Sequence, residues 1–438
     1  MESAEKHQIV IVGGGAGGLE LATGLGNRLG KKHRADITLI DTARTHIWKP
    51  LLHEVAAGTL DSHEDELEYL AQAHHHRFRF RLGYVDAIDQ VRREVLVAPT
   101  LNERQVELIP RRRFHYDTLV LAVGSISNDF GIPGVAEHCL FLDTTSQAER
   151  FQKRLLEAFL QAHAHGGPGH ATQLHVAIVG GGATGVELAA QLHEVANQFA
   201  AYGMDQIDPT RDIRIHLIEG AERILPALPA RLSDATMHAL DKLGIKVHTG
   251  QRVVRIDEDG IHTGSDHYIP CGLKVWAAGI KAPDFLHDVD GLETNVTNQV
   301  LVTATLQSTT DERIFAIGDC AACPWPNHDQ LVPPRAQAAH QQASLLVKSL
   351  TRLLNDKPLP MYRYHDYGSL VSLGQYSTVG NLMGKITGSF MVEGYIARFV
   401  YLSLYKMHQV ALFGLTRAFF LSLANIFRRA VHPNIKLH

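Results

Sequence analysis

Two stretches of this sequence decide its fold: Ile9-Val10-Ile11-Val12-Gly13-Gly14-Gly15-Ala16-Gly17-Gly18 and Val176-Ala177-Ile178-Val179-Gly180-Gly181-Gly182-Ala183-Thr184-Gly185. In each, a short apolar run, the mark of a strand buried on both faces, leads straight into Gly-x-Gly-x-x-Gly and then a helical pattern. The first glycine of each set (Gly13, Gly180) makes the strand-to-helix turn. The second (Gly15, Gly182) lets the backbone approach a pyrophosphate, and the third (Gly18, Gly185) lets helix and strand pack closely. The helix N-terminus adds N–H donors and the positive end of its dipole. Two such turns in one chain imply two dinucleotides, held so that electrons pass between them.

Working outward, each turn sits in a βαβ unit. The first runs from the strand Gln8–Val12 through a helix over 17–29 to a strand over 37–40, ending at Asp41. The second runs from a strand over 174–179 through a helix over 185–203 to a strand over 213–218, ending at Glu219. An acid at this point meets a ribose hydroxyl. Glu219 repels a 2′-phosphate, with Arg223 as the nearby cation that softens this, so NADH is favoured over NADPH. Tyr116–Val123 reads as a further buried strand, with shorter strand-like stretches around 78–85 and 91–99. A strand over 309–319 ends in Gly318-Asp319, returning the chain to its first unit, and a helix over 335–355 follows.

The fold class expected is α/β: two Rossmann-like dinucleotide-binding domains, a disulfide-reductase-like flavoprotein, with a C-terminal amphipathic region. The expected divisions are residues 1–145 for the first part of the FAD-binding domain, 146–170 for a linker, helical over 146–164 with a Gly/Pro hinge at 165–170, and 171–290 for the NADH-binding domain. Residues 291–380 complete the FAD-binding domain, and 381–438 form the membrane-associating region.

At 438 residues the chain is long enough for two or three domains with full cores. A net charge of -4 gives no global reason to expect nucleic acid as a partner. Four scattered cysteines do not make a disulfide framework. The first strand starts within eight residues of Met1 with no apolar leader, so no signal peptide is expected. His74-His75-His76 reads as a solvated surface turn, and no metal site is expected.

Residues 394–438 hold no Asp or Glu, while Arg398, Lys406, Arg417, Arg428, Arg429 and Lys436 are basic and aromatic and aliphatic residues fill the spaces between. The longest uncharged runs, Met407–Thr416 and Ala418–Phe427, are ten residues each. Against the ~20 residues a span needs, the tail is expected to lie in the interface of an anionic membrane rather than cross it. The alternative is a dimerisation face or a helix packed on the enzyme's own core.

Two further patches complete a resemblance: Trp48-Lys49-Pro50-Leu51-Leu52-His53-Glu54-Val55-Ala56-Ala57-Gly58, and Pro333-Pro334-Arg335-Ala336-Gln337-Ala338-Ala339-His340-Gln341. With both glycine turns, Trp276-Ala277-Ala278-Gly279 and the acid-free tail, the chain resembles the type II NADH:quinone oxidoreductases along nearly its whole length, and especially their enterobacterial form. The resemblance implies non-covalent FAD held by Gly13, Gly15, Ala16, Gly17 and Gly18, with Asp41 on the ribose. It places Lys49 and the backbone of Val85 at the adenine half, and Asp319 and Ala339 near the ribityl chain and isoalloxazine. NADH would sit on Gly180, Gly182, Gly185 and Glu219, flanked by Ala278 and Gly279, with Glu187 close to the nicotinamide. The Ala-Gln-x-Ala-x-Gln pattern, Ala336 to Gln341, is that family's quinone signature, so Gln337 and Gln341 would line the quinone pocket.

The bland readings are a helix-terminal carboxylate favoured by the dipole for Glu187 and ordinary helix-surface amides for Gln337 and Gln341, four apart on one face. Cys320 and Cys323 form a C-x-x-C beside Asp319, but related reductases carry their redox pair elsewhere, so a buried pair is expected. The implied reaction is NADH oxidation through FAD and reduction of ubiquinone or menaquinone to quinol, without proton pumping, at the cytoplasmic face of the bacterial inner membrane. The protein would be peripheral there, and a homodimer is left open. The competing readings are a soluble flavin-dependent reductase for a protein acceptor and a flavin-bearing interaction protein that uses NADH only as a switch.

Overall fold

The computed structural model describes residues 6–102, 104–165, 174–202, 207–372, 378–384, 388–393 and 395–431. The chain opens with β1 (His7–Val12), α1 (Ala16–Leu25), β2 (Ala35–Asp41), α2 (Leu52–Ala57), α3 (Tyr69–His76), β3 (Arg79–Leu82) and β4 (Thr118–Leu121). A second run holds β5 (Leu140–Phe141), α4 (Thr145–His165), β6 (Leu174–Val179), α5 (Ala183–Ala201), β7 (Ile213–Ile218), β8 (Lys246–His248) and β9 (Leu273–Trp276). The chain then adds β10 (Ile314–Ala316), α6 (Ala336–Leu353), β11 (Gly368–Ser372), β12 (Thr378–Gly384), β13 (Gly388–Glu393) and α7 (Tyr395–Val431).

The two apolar runs become the central strands of two parallel five-stranded sheets. The first has the order β10-β4-β1-β2-β3 and the second β5-β9-β6-β7-β8. Ile9, Val10, Ile11 and Val12 are buried, as are Val176, Ala177, Ile178 and Val179. Parallel strands joined by helical crossovers are covered on both faces, which is why these runs do not alternate. The return of the chain to the first sheet is real: β10 pairs with β4 at Leu119–Ile314 through Leu121–Ala316. The two units are joined where Ile126–Ser127 pairs antiparallel with Ile280–Lys281.

Helix α6 packs along α1 through a stripe of buried residues four apart, Ala338, Gln342, Leu346 and Leu350. This sets the start of α6 over the first glycine turn.

Two sequence expectations change and a third is refined. Residues 146–165, read as part of a linker, form α4, whose Phe151, Leu155 and Phe159 are buried in the core of the second sheet. The Gly/Pro cluster at 166–170 lies outside the described residues. Residues 381–384 and 388–393, read as the start of the membrane-associating region, belong to the antiparallel sheet β11-β12-β13. His74, His75 and His76 form the last turn of α3, where His75 Nδ1 meets the Ala71 carbonyl at 2.7 Å.

Helix α7 is interrupted at Gly414, whose φ of 77° and ψ of 166° are not helical. Its window Tyr405–Ala424 has 20 residues and a mean hydropathy of 1.2, long and apolar enough by length and composition to cross a membrane. The two ten-residue runs are separated only by Arg417, so they add up along one helix. The break at Gly414 and the burial of His408, Gln409, Leu412 and Ala418 against the protein set this helix apart from a straight span.

Candidate active site

The glycine turns have the same construction. Gly13 and Gly180 hold φ of +100° and +116°, and a Cβ would fall 2.3 Å from the Ala122 carbonyl oxygen at the first and 2.6 Å from Ala277 at the second. A Cβ on Gly18 or Gly185 would stand 1.9 Å from the carbonyl oxygen of Gly13 or Gly180. The first and third glycines are therefore required by the protein's own packing. The second ones are not: a Cβ on Gly15 or Gly182 would meet no protein atom within 4 Å. These two residues cap α1 and α5, and neither helix has a side-chain cap. An uncapped helix end beside backbone with open space over it is a cradle for a pyrophosphate. Both turns fit a dinucleotide, Ala16 and Gly17 opening the first helix.

Asp41 and Glu219 occupy equivalent positions. Asp41 Oδ2 accepts from the Gly14 N–H at 2.5 Å and Oδ1 from Ala43 N–H at 2.8 Å. Glu219 Oε2 accepts from Gly181 N–H at 2.7 Å and Oε1 from Ala221 N–H at 2.8 Å. Burial pushes the Asp41 carboxyl up from its ordinary value, against the backbone donors that lower it. The Gly83 N–H donates to the Asp41 carbonyl at 2.8 Å, which sets Val85 beside the same end of the sheet.

Lys49 lies elsewhere. Its ammonium donates to the Ser125 carbonyl at 2.7 Å and stands 3.7 Å from Asp143. The Ser125 hydroxyl in turn donates to Asp319 Oδ2 at 2.8 Å. Lys49 therefore groups with Asp319 on the β4–β10 side of the first turn, and not with Val85 on the β2–β3 side as the resemblance implied. Gln299 donates to the Asp319 carbonyl at 2.8 Å, and Gln342 accepts from Gly318 N–H at 2.7 Å. Ala339 sits over this corner: its Cβ would lie 3.3 Å from a Cβ on Gly17 and 3.5 Å from one on Gly318.

Glu187 is 6% exposed, on α5 just past the second turn. Its Oε2 lies 3.7 Å from His53 Nδ1 in the Trp48–Gly58 segment. Burial lowers the His53 imidazole to about 4, so this is no ion pair but a carboxylate against a neutral ring. Gln191, one turn along α5, donates to Thr59 at 2.8 Å and ties the units again. Gly279 holds φ of +63°, with Phe130 so close that a Cβ would meet its ring at 2.3 Å; Ala278 precedes it in the wall of the second unit.

Gln337 and Gln341 share a face of α6, and both hold the segment ahead of β11. Gln337 donates to the Gly368 carbonyl at 3.1 Å and accepts from Tyr367 N–H at 3.1 Å. Gln341 donates to the His365 carbonyl at 2.8 Å and accepts from its N–H at 3.0 Å. They are not loose surface amides.

Sequence reasoning missed Ser125, His53 and a cluster around Glu20. Glu20 on α1 bonds His340 on α6 and His408 on α7, both at 2.6 Å. Nothing local marks Glu20, which stands between leucines in an apolar helix. Cys320 and Cys323 are buried and free, and burial pushes both thiols up to about 12, so the pair is not nucleophilic.

The description "pyridine nucleotide-disulphide oxidoreductase" matches residues 7–343 of the chain. A type II NADH:quinone oxidoreductase from Haemophilus influenzae is 43% identical over 443 residues, which span 98% of this chain and 99% of that protein. The chain belongs to the type II NADH:quinone oxidoreductase family. A second relative of that name, NdhA of Mycobacterium tuberculosis, is 29% identical over 92% of this chain and 84% of its own. The fold is shared with NDH2 from Plasmodium falciparum in complex with NADH, at TM-score 0.82 and 21% identity over 99% of this chain and 100% of that one. As a member of the family this enzyme uses FAD, oxidises NADH and reduces a quinone.

Proposed function

We propose that the first turn, Gly13 through Gly18, holds FAD and that the second, Gly180, Gly182 and Gly185, admits NADH. The observation that carries this division is the position of Ala339: α6 closes over Gly17 and Gly318 at the first turn. The first dinucleotide is thereby enclosed and resident, the second open to exchange.

Asp41 and Glu219 then hold the ribose hydroxyls, each already carrying the middle N–H of its turn. Arg223 does not soften Glu219 toward a 2′-phosphate, because its guanidinium donates to the Leu228 and Pro226 carbonyls at 2.8 Å each. NADH is preferred over NADPH on this account. The backbone at Val85 supports the adenine half, while Lys49 and Asp319, joined through Ser125, serve the ribityl and ring end. Ala278 and Gly279 flank NADH, and Glu187 stands near its nicotinamide. Gln337 and Gln341, with the 365–368 segment they hold, form the wall against which ubiquinone or menaquinone is reduced.

Bound FAD supplies hydride acceptance from NADH and delivery of the electron pair to the quinone. The chain's own task is to orient the partners and to exclude shortcuts between them. Helix α7 brings the site to the lipid: its exposed Leu415, Phe419, Phe420 and Phe427, with Arg417 among them and no acid from 394 onward, suit the interface of an anionic bilayer. We read that anionic surface as the cytoplasmic leaflet.

The test is spectroscopic. Purified enzyme is expected to show an oxidised flavin spectrum that NADH bleaches anaerobically and a short-chain quinone restores. Bleaching without restoration would leave the reductase for a protein acceptor as the reading to keep. Self-association of a detergent-solubilised tail variant would instead assign α7 to a homodimer face.

A further inference from the structure

The carboxylate of Glu20 is 5% exposed and lies two residues past the third glycine of the first turn. A buried carboxylate persists only with partners, and here both come from the far end of the chain. His340 Nδ1 meets Oε2 and His408 Nδ1 meets Oε1, each at 2.6 Å. His408 Nε2 lies 2.9 Å from His46 Nε2. His46 is wholly buried, held down to about 3 by burial and by His408, and bonded to the Gly14 backbone. It is therefore neutral.

Burial alone would raise the Glu20 carboxyl, but the hydrogen bonds from His340 and His408 outweigh it and hold the group below its usual range. The hydrogen bond to Glu20 raises His340, against burial that lowers it. Other charged groups gather on the far side of His408. Glu64, Asp65, Glu66 and Glu68, His75 and Arg417 line the cavity of about 340 Å³ beside it. His340 itself sits between Gln337 and Gln341 in sequence, with 28% of its side chain exposed.

We propose that His340 is the acid that protonates the quinone as it is reduced, with Glu20 and the tail's His408 as the residues that orient and charge it. The proposal rests on the placement of the quinone beside Gln337 and Gln341. The balance requires such a donor. NADH gives up two electrons and one proton as a hydride, whereas a quinone takes two electrons and two protons to become quinol. One proton per turnover must come from water. In the step proposed, the Nε2–H bond of the His340 imidazolium breaks and an O–H bond of the quinol forms. The ring keeps its Nδ1–H on the Glu20 carboxylate, and water restores the Nε2 proton through the exposed edge. The geometry follows the logic of a carboxylate that fixes an imidazole and stabilises its charged form. Because His408 belongs to α7, the acid is complete only when the tail helix is docked.

The experiment uses full-length enzyme in membranes with Glu20→Gln, His340→Gln and His408→Gln. Rapid mixing separates flavin reduction by NADH, which is expected to stay within about twofold of wild type, from reoxidation by quinone. Reoxidation is expected to slow about a hundredfold in His340→Gln and about tenfold in Glu20→Gln. The alkaline limb of its pH profile should move to lower pH in Glu20→Gln. Histidine NMR titration gives a readout apart from activity: one resonance, absent in His340→Gln, should titrate above 6.5 and fall in Glu20→Gln. Superimposable pH profiles in all variants, with α7 merely cut faster by protease, would make the cluster a structural tie and overturn the proposal. If Gln337→Leu leaves the quinone KM unchanged, the placement of the quinone fails instead, and the two failures are told apart.

Discussion

Glu187, on the helix that follows the second glycine turn, lies 3.7 Å from His53, on the segment that follows the first. Both are buried, and the contact closes the seam between the two dinucleotide units. His53 is neutral, so the contact is not an ion pair, and on the proposed placement of NADH Glu187 stands beside the nicotinamide. Glu187→Gln is nearly isosteric and keeps a hydrogen-bonding group at the seam. It is expected to retain FAD and the wild-type melting temperature while lowering kcat/KM for NADH about tenfold, or about 1.4 kcal/mol. Anaerobic rapid mixing with NADH checks it, and an unchanged flavin-reduction rate would remove Glu187 from the reaction.

The glycines of each turn make a paired prediction. At Gly182 a methyl group has open space on the protein side, so Gly182→Ala is expected to fold normally and raise the KM for NADH at least tenfold, since the methyl fills the cradle. At Gly185 the same methyl would lie 1.9 Å from the Gly180 carbonyl oxygen, so Gly185→Ala is expected to lose about 2 kcal/mol or more of stability. Melting temperatures and NADH kinetics on the two variants separate a ligand cradle from a packing requirement. Equal stability of both would contradict the division.

How much of this was legible follows from the range of each interaction. The second βαβ unit could be read almost to the residue, with strands at 174–179 and 213–218, because a local apolar run between turn residues fixes it. Helix α4 was also visible as a helix, but not as core. Its buried Phe151, Leu155 and Phe159 find their partners on α2 and α5, and no local pattern names these. The resemblance put Lys49 at the adenine end, whereas its ammonium crosses to Ser125, 76 residues on, a contact no local pattern reveals. Glu20 was invisible for the same reason: its partners lie 320 and 388 residues away.

The Glu20 cluster also sets a pH window for stability. His340 has a folded value raised above its ordinary 6.5, so its contribution is complete below that pH and fades as pH rises through the raised value. Glu20 has a folded value lowered below 4.5, so its contribution is present above that pH and is lost as pH falls through the lowered value. Between these limits the tie among α1, α6 and α7 is strongest. The difference in melting temperature between wild type and Glu20→Gln should peak between about pH 5 and 6.5 and shrink on both sides. A difference that grows steadily toward alkaline pH would contradict the sign.

Helix α7 divides at Gly414, and the halves do different things. Before the break, His408 bonds Glu20 and the Leu412 carbonyl accepts from Gln72 at 3.0 Å, so this half is held by the protein. After it, Leu415, Phe419, Phe420 and Phe427 are 77%, 64%, 62% and 66% exposed. A straight helix through the bilayer would have to abandon the first set of contacts, whereas a bent one keeps them and lays the second half along the interface. Two phenylalanines exposed to this extent are worth roughly 2 to 4 kcal/mol of lipid partitioning, or roughly 30- to 700-fold. Phe419→Glu with Phe420→Glu is therefore expected to move the enzyme from the membrane pellet to the low-salt supernatant, and NADH should still bleach its flavin at the wild-type rate. Retention in the pellet after both charges are added would mean that this face is covered by protein, and that something other than α7 holds the enzyme to the lipid.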